Sequence, residues 1–86
     1  MKTFTYTIQD PLGIHARPAG LLAKLVREYP DTTVTLTKGE NTVKISQLMK
    51  LMGLAVKAGD TVTVTADGPA EEAAIGAVQA FLEQHL

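Results

Sequence analysis

Residues 3–8 read Thr-Phe-Thr-Tyr-Thr-Ile, with Phe4, Tyr6 and Ile8 on one side and threonines on the other. A period of two predicts a half-buried strand. Asp10-Pro11-Leu12-Gly13 is a loop signal. The period then changes. Ala19, Leu22, Ala23 and Val26 recur at helical spacing, and Leu21 and Leu25 widen the apolar stripe. Pro18 fits only a first turn, where a missing N–H costs little, so the helix is predicted to begin at His15 or Ala16. Pro30 is predicted to stop it.

Alternation returns over residues 32–37, where Val34 and Leu36 stand between threonines. Lys38-Gly39-Glu40-Asn41 reads as a hairpin turn, and Thr42–Ile45 as the shorter returning strand. Ser46 or Gln47 then opens an apolar segment, Leu48 to Leu54, with no β-branched residue. It is predicted to be a short helix ending near Gly53. Lys57-Ala58-Gly59-Asp60 turns the chain into a fourth strand, Thr61–Ala66, with Val62 and Val64 inward. Asp67-Gly68-Pro69 signals the start of a last helix, where Glu71 and Glu72 suit the positive end of the dipole. Ala70, Ala73, Ala74, Ala77, Val78 and Phe81 are predicted to form its buried face. The order is β-α-β-β-α-β-α. One-faced strands and one-striped helices are most simply satisfied by two layers, with helices on one face of the sheet.

The length of 86 residues suits one small domain, read as 1–86, and no repeat or linker interrupts it. With no cysteine, a disulfide framework, a zinc–thiolate site and a thiol nucleophile are all ruled out. No apolar run approaches the roughly 20 residues of a membrane span. The first ten residues lack the apolar core of a signal peptide. The expectation is a cytoplasmic protein without direct membrane contact. The net charge of −1 hides an asymmetry: all 8 Lys and Arg lie within residues 1–57, and none lies beyond. This is either a solvated basic half or a basic face for an acidic partner. Scattered cations and 5% aromatic content argue against nucleic acid.

The segment with chemistry is Gly13-Ile14-His15-Ala16-Arg17-Pro18-Ala19. It places a histidine where a helix begins. The first N–H groups of a helix lack intrahelical partners, and the dipole there attracts anions and disfavours an imidazolium. A neutral imidazole is a nucleophile, and helix N–H groups can cradle a phosphate placed on it. Arg17 lies close enough in the first turn to offer a guanidinium to phosphate oxygens. Gly13 is expected to give backbone room beside the histidine. A histidine at a helix start is also a common polar capping residue. No nucleophilic triad, metal-ligand cluster or Gly-rich phosphate loop accompanies it, and no cofactor is implied.

That segment resembles the active-site signature of HPr, the histidine-containing phosphocarrier family of the bacterial phosphoenolpyruvate-dependent sugar phosphotransferase system. The similarity spans the chain, including the Leu48–Leu54 segment and the Lys57-Ala58-Gly59-Asp60-Thr61-Val62 turn. It implies an α+β open-faced sandwich: a four-stranded antiparallel sheet with three helices over one side. It also implies that His15 takes a phosphoryl group on Nδ1 from Enzyme I, itself charged by phosphoenolpyruvate. His15 would then pass the group to a histidine of a sugar-specific EIIA domain. Arg17 would steady the phosphate, and the N–H groups of Ala16 and Arg17 would bind its oxygens. The protein would be a carrier rather than a stand-alone enzyme, and a monomer suits a shuttle.

The same resemblance places a docking patch on the exposed side of the first helix and on the second. Gly20, Lys24 and Arg27 match the first, and Leu48, Met49 and Met52 the second. Flexible methionines suit several partners, although half of this segment must point inward. Many family members carry a regulatory serine, phosphorylated by an HPr serine kinase, at the start of the short helix. Ser46 sits near that place, yet the register of Leu48-Met49-Lys50-Leu51 implies one extra residue upstream and puts Gln47 there instead. Ser46 also suits an N-cap. Two other readings remain: a regulatory binding module that moves no phosphate to sugars, and a carrier paralogue serving nitrogen metabolism.

Overall fold

The computed structural model describes residues 1–86. The alternating segments become four strands, β1 (Lys2–Thr7), β2 (Thr33–Lys38), β3 (Asn41–Lys44) and β4 (Thr61–Asp67). They form one antiparallel sheet in the order β1-β4-β2-β3. Register follows side-chain chemistry. Phe4 stands opposite Val64 and Tyr6 opposite Val62, while Thr5 faces Thr63. Leu36 lies between Val64 of β4 and Val43 of β3. A slip of one residue would send every apolar side chain to the other face, so the pattern fixes the pairing. The outer face is a threonine surface. Hydroxyls of Thr3 and Thr65 lie 3.3 Å apart, those of Thr7 and Thr61 3.0 Å, and those of Thr37 and Thr42 2.8 Å.

The helices α1 (Ala16–Val26), α2 (Leu48–Gly53) and α3 (Glu71–His85) cover the other face. The element order and the antiparallel sheet agree with the sequence reading. Leu22 of α1, Leu36 of β2, Leu51 of α2 and Leu82 of α3 are fully buried in one cluster with Val62, Val64 and Val78. Truncating any of these leucines to alanine is worth about 2–5 kcal/mol.

Several boundaries differ from expectation, each for a local reason. The hairpin turn is tighter than Lys38–Asn41, because Lys38 pairs with Asn41 and only Gly39-Glu40 remain outside the ladder. Helix α1 ends at Val26, well before Pro30, and the chain leaves it in tighter turns with Tyr29 N–H donating to the Val26 carbonyl. The buried face of α3 is Ala74, Val78 and Leu82; Ala73 is exposed. Leu82 joins the predicted face because it continues the four-residue spacing of Ala74 and Val78, while Ala73 is rotated about 100° from that line. The start of α3 is capped from elsewhere: the buried Thr32 hydroxyl accepts the Ala70 N–H at 2.9 Å.

Candidate functional site

His15 is the N-cap of α1, with extended backbone (φ −104°, ψ −177°) and no side-chain capping hydrogen bond. Its carbonyl accepts the Ala19 N–H at 2.9 Å, so the backbone starts the helix and the ring stays uncommitted. The role of a mere polar cap is therefore not the one the side chain fills. Pro18 has no N–H, and Ala19 is already paired. This leaves the N–H groups of Ala16 and Arg17 as the free donors of the first turn. No acidic residue occupies that turn to compete for them.

The loop that presents His15 is held on several sides. The Asp10 carboxylate accepts the Leu12 N–H at 2.8 Å, and the Asp10 carbonyl accepts the Gly13 N–H at 2.9 Å. Ile14 donates to the Val56 carbonyl at 3.0 Å and is itself buried. Gly13 is required here, but not for room beside the histidine. Its φ is +66°, and a Cβ would stand 2.2 Å from the Val56 oxygen and 2.7 Å from the Lys57 Cα. The close approach is to the segment before β4.

A cavity of about 290 Å³ opens at this corner, lined by Asp10, His15, Arg17, Pro18, Leu21 and His85. It brings His15 and Arg17 together as the sequence reading expects. Leu21, His85 and Asp10 were not foreseen. Leu21, assigned by helical spacing to the buried stripe, is 44% exposed and faces this cavity instead.

Gly20, Lys24 and Arg27 follow Arg17 along the solvent side of α1. On α2, Met49 is 80% and Met52 37% exposed, Leu48 is half-buried, and Leu51 alone turns fully into the core. Leu12 is 72% exposed in the loop before His15. With Leu21, Met49 and Met52 it makes four exposed large apolar side chains on the α1 loop, α1 and α2. Arg27 is not free: its Nη2 donates to the Ser46 carbonyl at 2.8 Å. The N-cap of α2 is Gln47, and Ser46 lies one residue outside the helix rather than capping it.

Against known proteins, a family model described as the PTS HPr component phosphorylation site matches residues 2–84. The phosphocarrier protein HPr of Mycoplasma genitalium is 36% identical over 85 residues, covering 99% of this chain and 97% of that one. The crystal structure of an HPr from Thermoanaerobacter tengcongensis superposes with a TM-score of 0.92 at 32% identity, covering 98% of this chain and 93% of that chain. Crh, the Bacillus subtilis catabolite repression protein solved as a domain-swapped dimer, gives 0.78 at 30% identity, covering 94% of this chain and 92% of that one. The chain belongs to the HPr family of phosphocarrier proteins of the phosphotransferase system. No helix is long and apolar enough to cross a membrane.

Proposed function

We propose that this chain carries a phosphoryl group on His15 from Enzyme I, charged by phosphoenolpyruvate, to EIIA domains that serve sugar uptake. The observation that carries this is the uncommitted His15 ring at the start of α1, sharing one cavity with Arg17. In the step, a ring nitrogen attacks phosphorus, a new N–P bond forms, and the donor's ring leaves with the electron pair of the old one. Such transfer asks for positioning and charge stabilisation rather than covalent help from the acceptor. Arg17 supplies the guanidinium, and the Ala16 and Arg17 N–H groups supply oriented donors. The chain works as a single domain over residues 1–86, as a monomeric cytoplasmic carrier and not as an enzyme on its own.

Docking falls to the α1 side with Gly20, Lys24 and Arg27 and to Leu48, Met49 and Met52 of α2. Apolar contacts there give partner binding, and the cations of α1 steer encounter with acidic surfaces. An HPr serine kinase would meet Gln47 at the N-cap of the short helix, with Ser46 as the only nearby serine hydroxyl. The Gln47 N-cap supports reading Gln47 as the counterpart of the regulated serine.

Incubation with Enzyme I and phosphoenolpyruvate, followed by intact mass, tests the carrier reading. One acid-labile phosphate is expected, absent in His15→Ala. An unchanged mass with active Enzyme I would sink it. The kinase assay is separate: an acid-stable phosphate on Ser46 would refute the Gln47 register.

A further inference from the structure

We propose that His85 is a phosphate-contacting residue of the His15 site, placed to donate a ring N–H to the oxygens of a phosphoryl group held on His15. The proposal rests on reading His15 as the phosphoryl acceptor. The two histidines are far apart in sequence, yet both line the same cavity as Arg17.

The position of His85 is built rather than accidental. Its ring stacks on Phe81 with centroids 4.5 Å apart at a 34° tilt. The next residue, Leu86, is buried, and its carbonyl accepts the N–H groups of both Gln9 and Asp10, the latter at 2.9 Å. The end of α3 is thus fastened to the loop that presents His15. The stack on Phe81 limits the rotamers of this exposed ring, so less side-chain entropy remains to be lost on meeting a phosphate. His85 makes no hydrogen bond or ion pair within the protein. It also stands in the last turn of α3, where the helix dipole favours a cation.

The charges around the cavity fit this use. Asp10 is its only acid, and one carboxylate oxygen is already engaged by the Leu12 N–H. A phosphoryl dianion on His15 would meet that carboxylate, and the Arg17 guanidinium and a His85 ring N–H line the same cavity to offset it. Loss of the group by hydrolysis is balanced simply. Water attacks phosphorus, the N–P bond breaks with its electron pair returning to the ring, and a proton from water restores the neutral imidazole beside inorganic phosphate. The transition state is loose and metaphosphate-like, its three oxygens flattened away from the tetrahedral arrangement in which the resting dianion meets the His85 ring. A donor on those oxygens therefore holds the phosphorylated state more than the transition state and slows its loss.

The test loads His15 chemically with phosphoramidate, which needs no partner protein; His15→Ala, treated alike, reports any label on His85 itself. His85→Phe keeps a ring against Phe81 but removes both nitrogens. The expected result is a phospho-His15 lifetime shortened roughly two- to fivefold, the range of an exposed charged contact. The ³¹P resonance of phospho-His15 should move as well, and the His85 ring signals of the parent protein should shift on loading. If His85→Phe does not fold, His85→Ala is read by the same measures. A folded variant with unchanged lifetime and unchanged ³¹P resonance overturns the proposal. Failure of Enzyme I to load His15 would sink the carrier reading alone, since the chemical route still allows the His85 comparison.

Discussion

Arg27 Nη2 donates to the Ser46 carbonyl at 2.8 Å, so the residue that ends α1 holds the residue that precedes α2. The two helices of the proposed docking side are tied at that point. Arg27→Ala is expected to cost about 0.5–1.5 kcal/mol, the net worth of one hydrogen bond. Hydrogen exchange should show the loss concentrated in Leu48–Gly53. Uniformly faster exchange over the whole chain would mean the bond does not hold α2 locally.

Met49 offers a cleaner probe of docking, because at 80% exposure it contributes little to the core. Met49→Glu should leave the unfolding free energy from urea titration within about 0.5 kcal/mol of the parent, as surface changes do. If Met49 is a contact anchor, kcat/KM for phosphoryl transfer from Enzyme I should fall about tenfold or more. An unchanged rate would remove Met49 from the interface.

Gly13→Ala should be severe although no side chain is lost. The new Cβ would meet backbone atoms of Val56 and Lys57, and the residue would sit at φ +66°. Strain and overpacking together are worth about 2–4 kcal/mol. Chemical unfolding measures this, and the NMR signals of His15 should move with the displaced loop. A near-neutral variant would show that the Val56 segment yields freely.

What the sequence disclosed depended on how local the cause was. Threonine alternation dictated the strands and their inward faces, because period two needs no partner to be read. The Ala19, Leu22, Ala23 and Val26 stripe announced α1, and Pro18 gave its start. The family resemblance, not spacing, supplied the antiparallel pairing. Leu21 was misjudged because the same helical angle serves either a core or a cavity mouth. His85 could not be seen beside His15, since only the folded end of α3, fastened to Gln9 and Asp10, brings them together. Ala55 was equally hidden, because its left-handed backbone stands directly after the Leu54 C-cap of α2, a place where glycine is the usual signal.

Ala55 has φ +53°, the one non-glycine residue with positive φ. An L side chain there costs roughly 1–2 kcal/mol, part of which glycine returns as extra freedom in the unfolded chain. Ala55→Gly is therefore expected to stabilise by about 0.5–1 kcal/mol. For a domain of this size that raises Tm by about 2–8 °C, measurable by calorimetry. A lowered Tm would mean that unfolded-state entropy outweighs the relief.

Asp60 links the fold to pH. The Lys57 N–H at 2.8 Å and the Lys38 ammonium at 3.1 Å hold its carboxyl below the ordinary aspartate range. A carboxylate with a depressed folded pKa contributes stability that is present above its unfolded pKa and is lost as pH falls through the folded value. Asp60→Asn should therefore be less stable than the parent at pH 7, and the gap should close on acidification through that window. Lys38 also donates to the Leu54 and Ala55 carbonyls at 3.4 and 3.0 Å, so the variant keeps the ammonium in place and removes only the charge. Glu71 is likewise lowered, chiefly by its hydrogen bond with the N-terminal ammonium, and titrates in both proteins alike. Urea midpoints measured from pH 7 into the acid range decide the matter. A gap that stays constant across that range would show that the Asp60 charge contributes nothing beyond the hydrogen bonds an asparagine can make.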